Sequence, residues 1–368
     1  MPEIMTTAPF RLLAAAIFTL APGVAWAGPD QLYQGTVGTA RIVMTLSEDK
    51  AEVSGQYFYL SSRLDIDLSG AVQGQTLDLE SRTTGDKLHL TRRGTRLDGT
   101  LTTAKARRLP VSLHAAGTPA DLPADLPPKL SAYERWHLTG LQLTPQKAET
   151  INGKTIRWYR EALSGIRLFR IESGYAAPAL AAVNHALARN QWANVSAWFA
   201  CTGYEGGPGT DVAEAKRPWL GANHVSYVWN GSWSCAGTAH PDFGTAGYSY
   251  DMRTGRELKL DDLLHFGSGP IPAEDSDAWY SYRSKRFAPG VVALLKRYHP
   301  EDMTAPAAGD EDECDYSDPE VWDFPAWALS DKGLWLGAYF ARVQRACDAP
   351  DWAIIPWSAL GLKPGEKP

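Results

Sequence analysis

Between residues 31 and 116 the chain alternates apolar and polar positions in short runs. The segments TARIVMTL, AEVSGQYFYL, LDIDLSGAV, TLDLESR, KLHLTRR, TRLDGTL and RLPVSLHA follow one another, separated by Glu48-Asp49, Gly70, Gly74, Gly85-Asp86, Gly94 and Gly99. A period of two, broken by turn residues roughly every ten positions, predicts an antiparallel β-meander. Seven or eight such strands curl into a small barrel or sandwich, because closure removes exposed edges. No helical period interrupts them. Residues 117–129, GTPADLPADLPPK, carry four prolines and read as a stiff, extended linker.

The pattern then becomes mixed. TIRWYREALSGIRLFRIESG predicts a hairpin turning near Gly165. In AAPALAAVNHALARNQWANVSAWFAC, Leu180, Val183, Leu187 and Trp192 recur at helical spacing, and Pro178 suits a first turn. Strands are expected at NHVSYVWNGSW and AGYSYDMRT, and a strand running into a short helix at ELKLDDLLHF. DAWYSYRSKRFAPGVVALLKRYH predicts two helical pieces broken at Pro289-Gly290. DFPAWALSDKGLWLGAYF and DWAIIPWSALGL close the chain as strands and a short helical turn. The fold class expected is α+β: a β-meander, then an antiparallel sheet packed by helices. The divisions are 1–27, 28–116, the Pro-rich 117–132, and 133–368.

The first of these divisions carries an address. Arg11 precedes LLAAAIFTLAPGVAWA, which ends in the small-x-small pattern Ala25-Trp26-Ala27. This predicts a secretory signal cleaved after Ala27; Pro22 and Gly23 interrupt the run, which argues against a transmembrane anchor. Export to a periplasm or beyond makes the four cysteines meaningful. Cys201, Cys235, Cys314 and Cys347 are even in number and none lies in a CxxC, so disulfides are expected and a zinc site is the lesser alternative. Of the three pairings, Cys201 with Cys235 and Cys314 with Cys347 join sequence neighbours.

The formal net charge of −6 argues against a nucleic-acid partner. Residues 28–118 hold 11 basic and 10 acidic side chains, so the negative excess lies in the second unit.

Residues 150–365 resemble the extracytoplasmic domain of the RsiV type, the family of the lysozyme-sensing anti-sigma factor and of related exported bacterial proteins. The features are Asn184 in AAVNHAL, the turn Ala236-Gly237-Thr238-Ala239-His240-Pro241, and the string Asp251-x-x-Thr254-Gly255-x-x-Leu258-x-Leu260-x-Asp262-Leu263-Leu264. LSDKGLWL and IIPWSAL follow in the same order. The resemblance implies a shared fold and a domain that binds a lysozyme-like protein. Two departures stand out. The chain shows no sigma-binding segment or membrane span, so the anti-sigma role does not carry over, and its N-terminal β-unit is absent from that sensor.

Several residues could carry chemistry. His240 could contact a ligand or act as a base, though a ring that satisfies backbone groups at a turn is the commoner use, and no triad partner is visible. Asp251, Thr254, Gly255 and Asp262 could suggest a cation site; a Thr-Gly turn hydrogen-bonded by Asp251, with Asp262 helping to cap the next turn, explains them better. Residues 301–323 hold Glu301, Asp302, Asp310, Glu311, Asp312, Glu313, Asp315, Asp318, Glu320 and Asp323 with no Lys or Arg. Such a loop, pinned through Cys314, would attract a cationic protein. A solvated loop or a calcium site are the alternatives, although Asp310-x-Asp312 lacks EF-hand spacing. Trp219, Trp229, Trp233 and Trp279 could stack on sugars but suit a core. Arg92, Arg93, Arg96, Arg107 and Arg108 read as a solvated sheet face, with docking onto the acidic second unit as the other use.

No HExxH or GxSxG occurs, and no catalytic set, metal or cofactor is expected. The function expected is an exported, non-enzymatic binding protein. Its partner-binding candidates are Asp310, Glu311, Asp312, Glu313, Asp315 and His240, and its partner is a basic secreted protein such as a lysozyme or muramidase. An envelope enzyme acting on glycan or peptidoglycan, and a structural envelope module, are the competing readings.

Overall fold

Alternation along the N-terminal strands sends Leu77, Leu79, Leu88, Leu90, Leu97 and Leu101 to one side and polar residues to the other, which lets the sheet close on itself. The computed structural model describes residues 30–307 and 313–360. The expected signal segment lies outside them. Strands β1 (Gln31–Val37), β2 (Ala40–Asp49), β3 (Glu52–Tyr59), β4 (Ile66–Gln73), β5 (Thr76–Glu80), β6 (Lys87–Arg93), β7 (Arg96–Thr102) and β8 (Arg108–Ala115) pair in sequence order. β1 closes on β8 with Tyr33 opposite Ala115 and Val37 opposite Val111. The result is an eight-stranded antiparallel barrel, one of the two forms expected. At this strand number side chains can fill the interior, and here Tyr33, Met44, Tyr57 and the leucines do so.

β2 and β3 break the alternation. Ile42, Met44 and Tyr57 face inward, while Val43 and Phe58 point outward and are still fully buried. Helix α1 (Ala132–Leu138) covers them. A capping box starts α1: Ser131 Oγ accepts Glu134 N–H at 3.2 Å, and Glu134 accepts Ser131 N–H at 2.7 Å.

The segment joining β3 to β4 locks this contact. Arg63 donates to the carbonyls of Trp136 (3.1 Å), His137 (2.5 Å) and Thr139 (2.8 Å), which are the open C-terminal end of α1. The Asp65 carboxylate accepts the Tyr133 hydroxyl at 2.6 Å and His137 Nε2 at 2.9 Å. The Asp65 backbone N–H donates to the Phe199 carbonyl at 3.0 Å, and its carbonyl accepts the Thr202 hydroxyl. Barrel and second unit thus share a buried polar node. Of the basic cluster, Arg92 pairs with Glu48 and Arg96 with Asp98 within the barrel sheet, while Arg93, Arg107 and Arg108 are exposed on it.

The second unit is α+β, as expected. β9 (Leu143–Ile151), β10 (Lys154–Glu161) and β11 (Arg167–Ile171) form one sheet, with the β10–β11 turn at Gly165. Helix α2 (Ala177–Ala200) packs on it through Val183, Leu187, Trp192 and Val195. Asn184 fixes the register, since its amide oxygen accepts Ile171 N–H and its amide nitrogen donates to Ile171 O, both at 2.8 Å. β12 (Thr210–Leu220), β13 (His224–Trp233), β14 (Asp242–Asp251) and β15 (Arg256–Glu257) form the second sheet. β16 (Ala326–Leu329), β17 (Gly333–Gly337) and β18 (Ile354–Pro356) form a third, and β16 lies against β13 and β14.

The Asp251–Gly255 turn is structural. Asp251 accepts Arg253 N–H at 2.8 Å on its carboxylate and Gly255 N–H at 2.7 Å on its carbonyl. Gly255 sits at φ +72°, and a Cβ there would lie 2.8 Å from Ala182 on α2. Only glycine suits both conditions. Helix α3 (Leu260–Leu263) follows, and Asp262 does not cap it: the cap is Lys259 with no side-chain bond. Its neighbour Asp261 is the committed residue, buried against Arg283 at 2.7 Å.

The expected break at Pro289-Gly290 is also absent. Helix α4 (Asp277–Tyr282) runs through a π-helical turn (Arg283–Phe287) into α5 (Ala288–Tyr298). Pro289 falls in the first turn of α5, where proline is tolerated. Gly290 is a packing residue, because a Cβ would meet the Phe266 ring at 2.4 Å.

Both expected disulfides form, Cys201–Cys235 and Cys314–Cys347, with sequence separations of 34 and 33. Bonds of this kind point to an oxidising, extracytoplasmic compartment. No helix among the described residues is long and apolar enough to cross a membrane.

Candidate partner-binding site

Two features singled out in the sequence, the His240 turn and the acidic segment, meet through a short 3-10 turn at Arg342–Cys347. Arg342 donates to Pro241 O at 2.6 Å and pairs with Asp242 at 3.3 Å. Two residues on, the Gln344 amide donates to Glu313 O at 3.2 Å. Arg345 is the centre of the clasp. It donates to the Asp348 carboxylate and to Phe243 O, both at 2.5 Å, and reaches Asp242 at 3.4 Å and the Tyr339 hydroxyl at 3.3 Å. Its guanidinium also lies over the Tyr339 ring at 4.6 Å and the Phe243 ring at 5.1 Å. A planar, always-charged group is suited to holding two aromatic rings and two carboxylates together.

The clasp fixes an unusual surface. Val343 is 94% exposed, and Phe243 and Tyr339 keep 42% and 38% exposure although Arg345 beneath them is buried. Aromatic rings held in place and still wet, as Phe243 and Tyr339 are by Arg345, cost little entropy when a partner covers them. His240 is exposed on the adjoining turn, with its carbonyl facing the Thr238 hydroxyl at 3.4 Å. Tyr204, also exposed, donates to Thr238 O at 2.7 Å.

The acidic residues divide by role. Asp310, Glu311 and Asp312 lie outside the described residues. Glu313 is exposed beside the clasp. Asp315 accepts the Ser317 N–H at 2.9 Å and its hydroxyl at 2.6 Å, and Asp318 accepts Glu320 N–H at 2.9 Å, so both brace their own turns. Burial pushes the Asp323 carboxyl up to about 6, with Glu320 adding repulsion and Arg283 opposing it. Burial likewise raises Asp348, against the Phe340 N–H and Arg345. Glu301, Asp302 and Glu320 remain exposed.

Besides the Gln344 contact, two bonds to Cys347 tie the segment down and a third braces it internally. Cys314 bonds to Cys347, the Tyr316 hydroxyl donates to Cys347 O at 2.9 Å, and Trp322 Nε1 donates to Tyr316 O at 2.9 Å. Replacing both cysteines with serine (C314S/C347S) is expected to lower unfolding free energy by roughly 3–4 kcal/mol, from the loop-closure entropy of some thirty residues. Denaturant midpoints measure this; a change under about 1 kcal/mol would mean the aromatic contacts alone pin the segment.

Three of the four tryptophans singled out are engaged in packing. Trp229 is core, Trp219 packs on Trp357 at 5.8 Å, and Trp279 packs on Phe324 at 5.2 Å. Sequence reasoning missed Phe243, Tyr339, Val343 and Arg345. The only local signal is RVQRAC, where one valine stands among polar residues beside a cysteine. No protein-family model matches the chain, and neither does any curated protein.

Proposed function

We propose that this is an exported, non-enzymatic binding protein whose clasped aromatic face captures a basic protein, with a lysozyme-like muramidase as the concrete candidate. One observation carries the reading: Arg345 holds Phe243 and Tyr339 solvent-exposed beside Val343 and Glu313. Fixed aromatics are the residue types that supply binding energy, and a polar, charged rim supplies steering. The unrelieved acidic run from 301 to 323 selects a cation-rich partner. The resemblance of residues 150–365 to the RsiV type supplies the class of partner.

The experiment is a calorimetric titration of the purified protein with lysozymes and toxin muramidases, repeated across ionic strength. The Debye length shrinks from about 30 Å at ~0.01 M to about 8 Å at ~0.15 M, so affinity should fall at least about tenfold over that range. Absence of binding at low salt to every basic muramidase tried would defeat the proposal.

A further inference from the structure

A concave site lined by none of the clasp residues does not rest on the function proposed above. One wall is a helical stripe. Ala278, Ser281, Tyr282, Lys285 and Arg286 follow the i, i+3, i+4 spacing that puts residues on one face. The opposite wall is the segment after α3, with His265, Phe266 and Pro270. Together they border an open hollow of about 320 Å³, at the lower end of the range of small-molecule sites.

The walls are held by their own bonds. His265 Nε2 faces Gly269 O at 3.0 Å, and a carbonyl only accepts, so that nitrogen carries the hydrogen. The other ring nitrogen, Nδ1, lies 3.0 Å from the Tyr282 hydroxyl, which itself accepts Phe266 N–H at 3.1 Å. His265 and Tyr282 also stack at 5.5 Å. The π-turn forms part of the helical wall. Such turns recur at functional sites, and this one keeps Arg283 and Phe287 in the core while Lys285 and Arg286 remain outside.

Charge sets this pocket apart. Its lining contains a lysine and an arginine and no carboxylate, in a chain of net charge −6. Nearby cations are matched: Lys259 with Glu274, Arg253 with Asp251, Arg283 with Asp261. Among the described residues, neither Lys285 nor Arg286 has a carboxylate within ion-pair distance. Two unmatched cations thus stand beside aromatic and proline faces.

We infer that the pocket between the 265–272 segment and the α4–π-turn stripe binds a small organic oxyanion, a carboxylate or a phosphate monoester carried on a flat or apolar group. Arg286 would fork the oxyanion, Lys285 would add a point charge, and Phe266 and Pro270 would cover the apolar part.

The test is calorimetry on the full folded protein at low ionic strength with benzoate, phenyl phosphate and the neutral benzyl alcohol. Benzoate or phenyl phosphate should bind saturably at one site, at least about tenfold tighter than benzyl alcohol. The tighter of the two anions identifies a carboxylate or a phosphate ligand. The K285A/R286A variant changes only exposed side chains, and should keep the parent's unfolding midpoint while losing at least about tenfold in anion affinity. Absence of saturable binding by either anion, equal binding of benzyl alcohol, or unchanged affinity in the double variant would overturn the inference. Muramidase binding is read separately, so either result stands without the other.

Discussion

Asp65→Ala is expected to cost about 3–5 kcal/mol of folding stability and to separate the barrel from the unit that follows it. Asp65 is 7% exposed and accepts from the Tyr133 hydroxyl and His137 Nε2, which are 6% and 1% exposed. Removing the carboxylate leaves both donors buried, at about 1–3 kcal/mol each. The rings cannot turn to water: Tyr133 packs edge-on to Phe58 at 5.3 Å, and His137 lies 4.1 Å from Phe58. Asp65→Asn keeps one acceptor and should recover about half of the loss. Denaturant unfolding followed by tryptophan fluorescence reads this, because Trp136 sits on α1 at the seam. The alanine variant should show an early phase in which the seam opens before the barrel melts. A loss below about 1 kcal/mol would mean that apolar contact, and not the polar node, joins the two units.

Asp261→Ala should be comparably damaging, again about 3–5 kcal/mol, for a different reason. Its partner Arg283 is 4% exposed and lies 3.7 Å above the Phe287 ring, with Nε donating to Asp323 O at 2.8 Å. Burial lowers the Arg283 pKa and Asp261 opposes that shift, so the counter-ion offsets the cost of keeping the guanidinium out of water. Asp261 also accepts Trp279 Nε1 at 2.8 Å. The alanine variant strands a guanidinium and an indole N–H. The control is the double variant D261L/R283M, in which both charges leave together. It should regain most of the lost stability, because a buried pair replaced by apolar groups of similar size is close to neutral. If D261L/R283M is as unstable as Asp261→Ala, desolvation is not the origin of the effect.

How far the sequence reached follows from the range of each signal. Alternation is local, and Leu77, Leu79, Leu88 and Leu90 announced inward-facing strands without any tertiary knowledge. The runs IVM in β2 and YFY in β3 carried a finer message: a strand apolar on both faces is covered on both, here by α1. Helix α1 is legible from Ser131-x-x-Glu134, but its seven residues are too few for a periodic pattern. β12 escaped because TDVAEAKRPWL is polar and contains Pro218, which sits where the register with β13 shifts. The DxxTG string was readable as a turn, whereas the reason for its glycine was not, since Ala182 is some seventy residues earlier. The site shows the same limit. His240 and the acidic run stood out by residue type. The Arg345 clasp joins residues about a hundred positions apart, and nothing local encodes that.

The central claim is that the face around Val343 docks a cation-rich protein. Val343 is 94% exposed, so Val343→Arg alters the surface and leaves the fold unstressed. Against it stands Gln73→Arg, the same positive charge placed on an exposed barrel position. Both variants and the parent are titrated with one basic muramidase that binds the parent at low salt. The account predicts that Val343→Arg weakens binding by about a hundredfold, through lost contact and like-charge repulsion, while Gln73→Arg matches the parent within about threefold. Equal affinity for the two variants would contradict it.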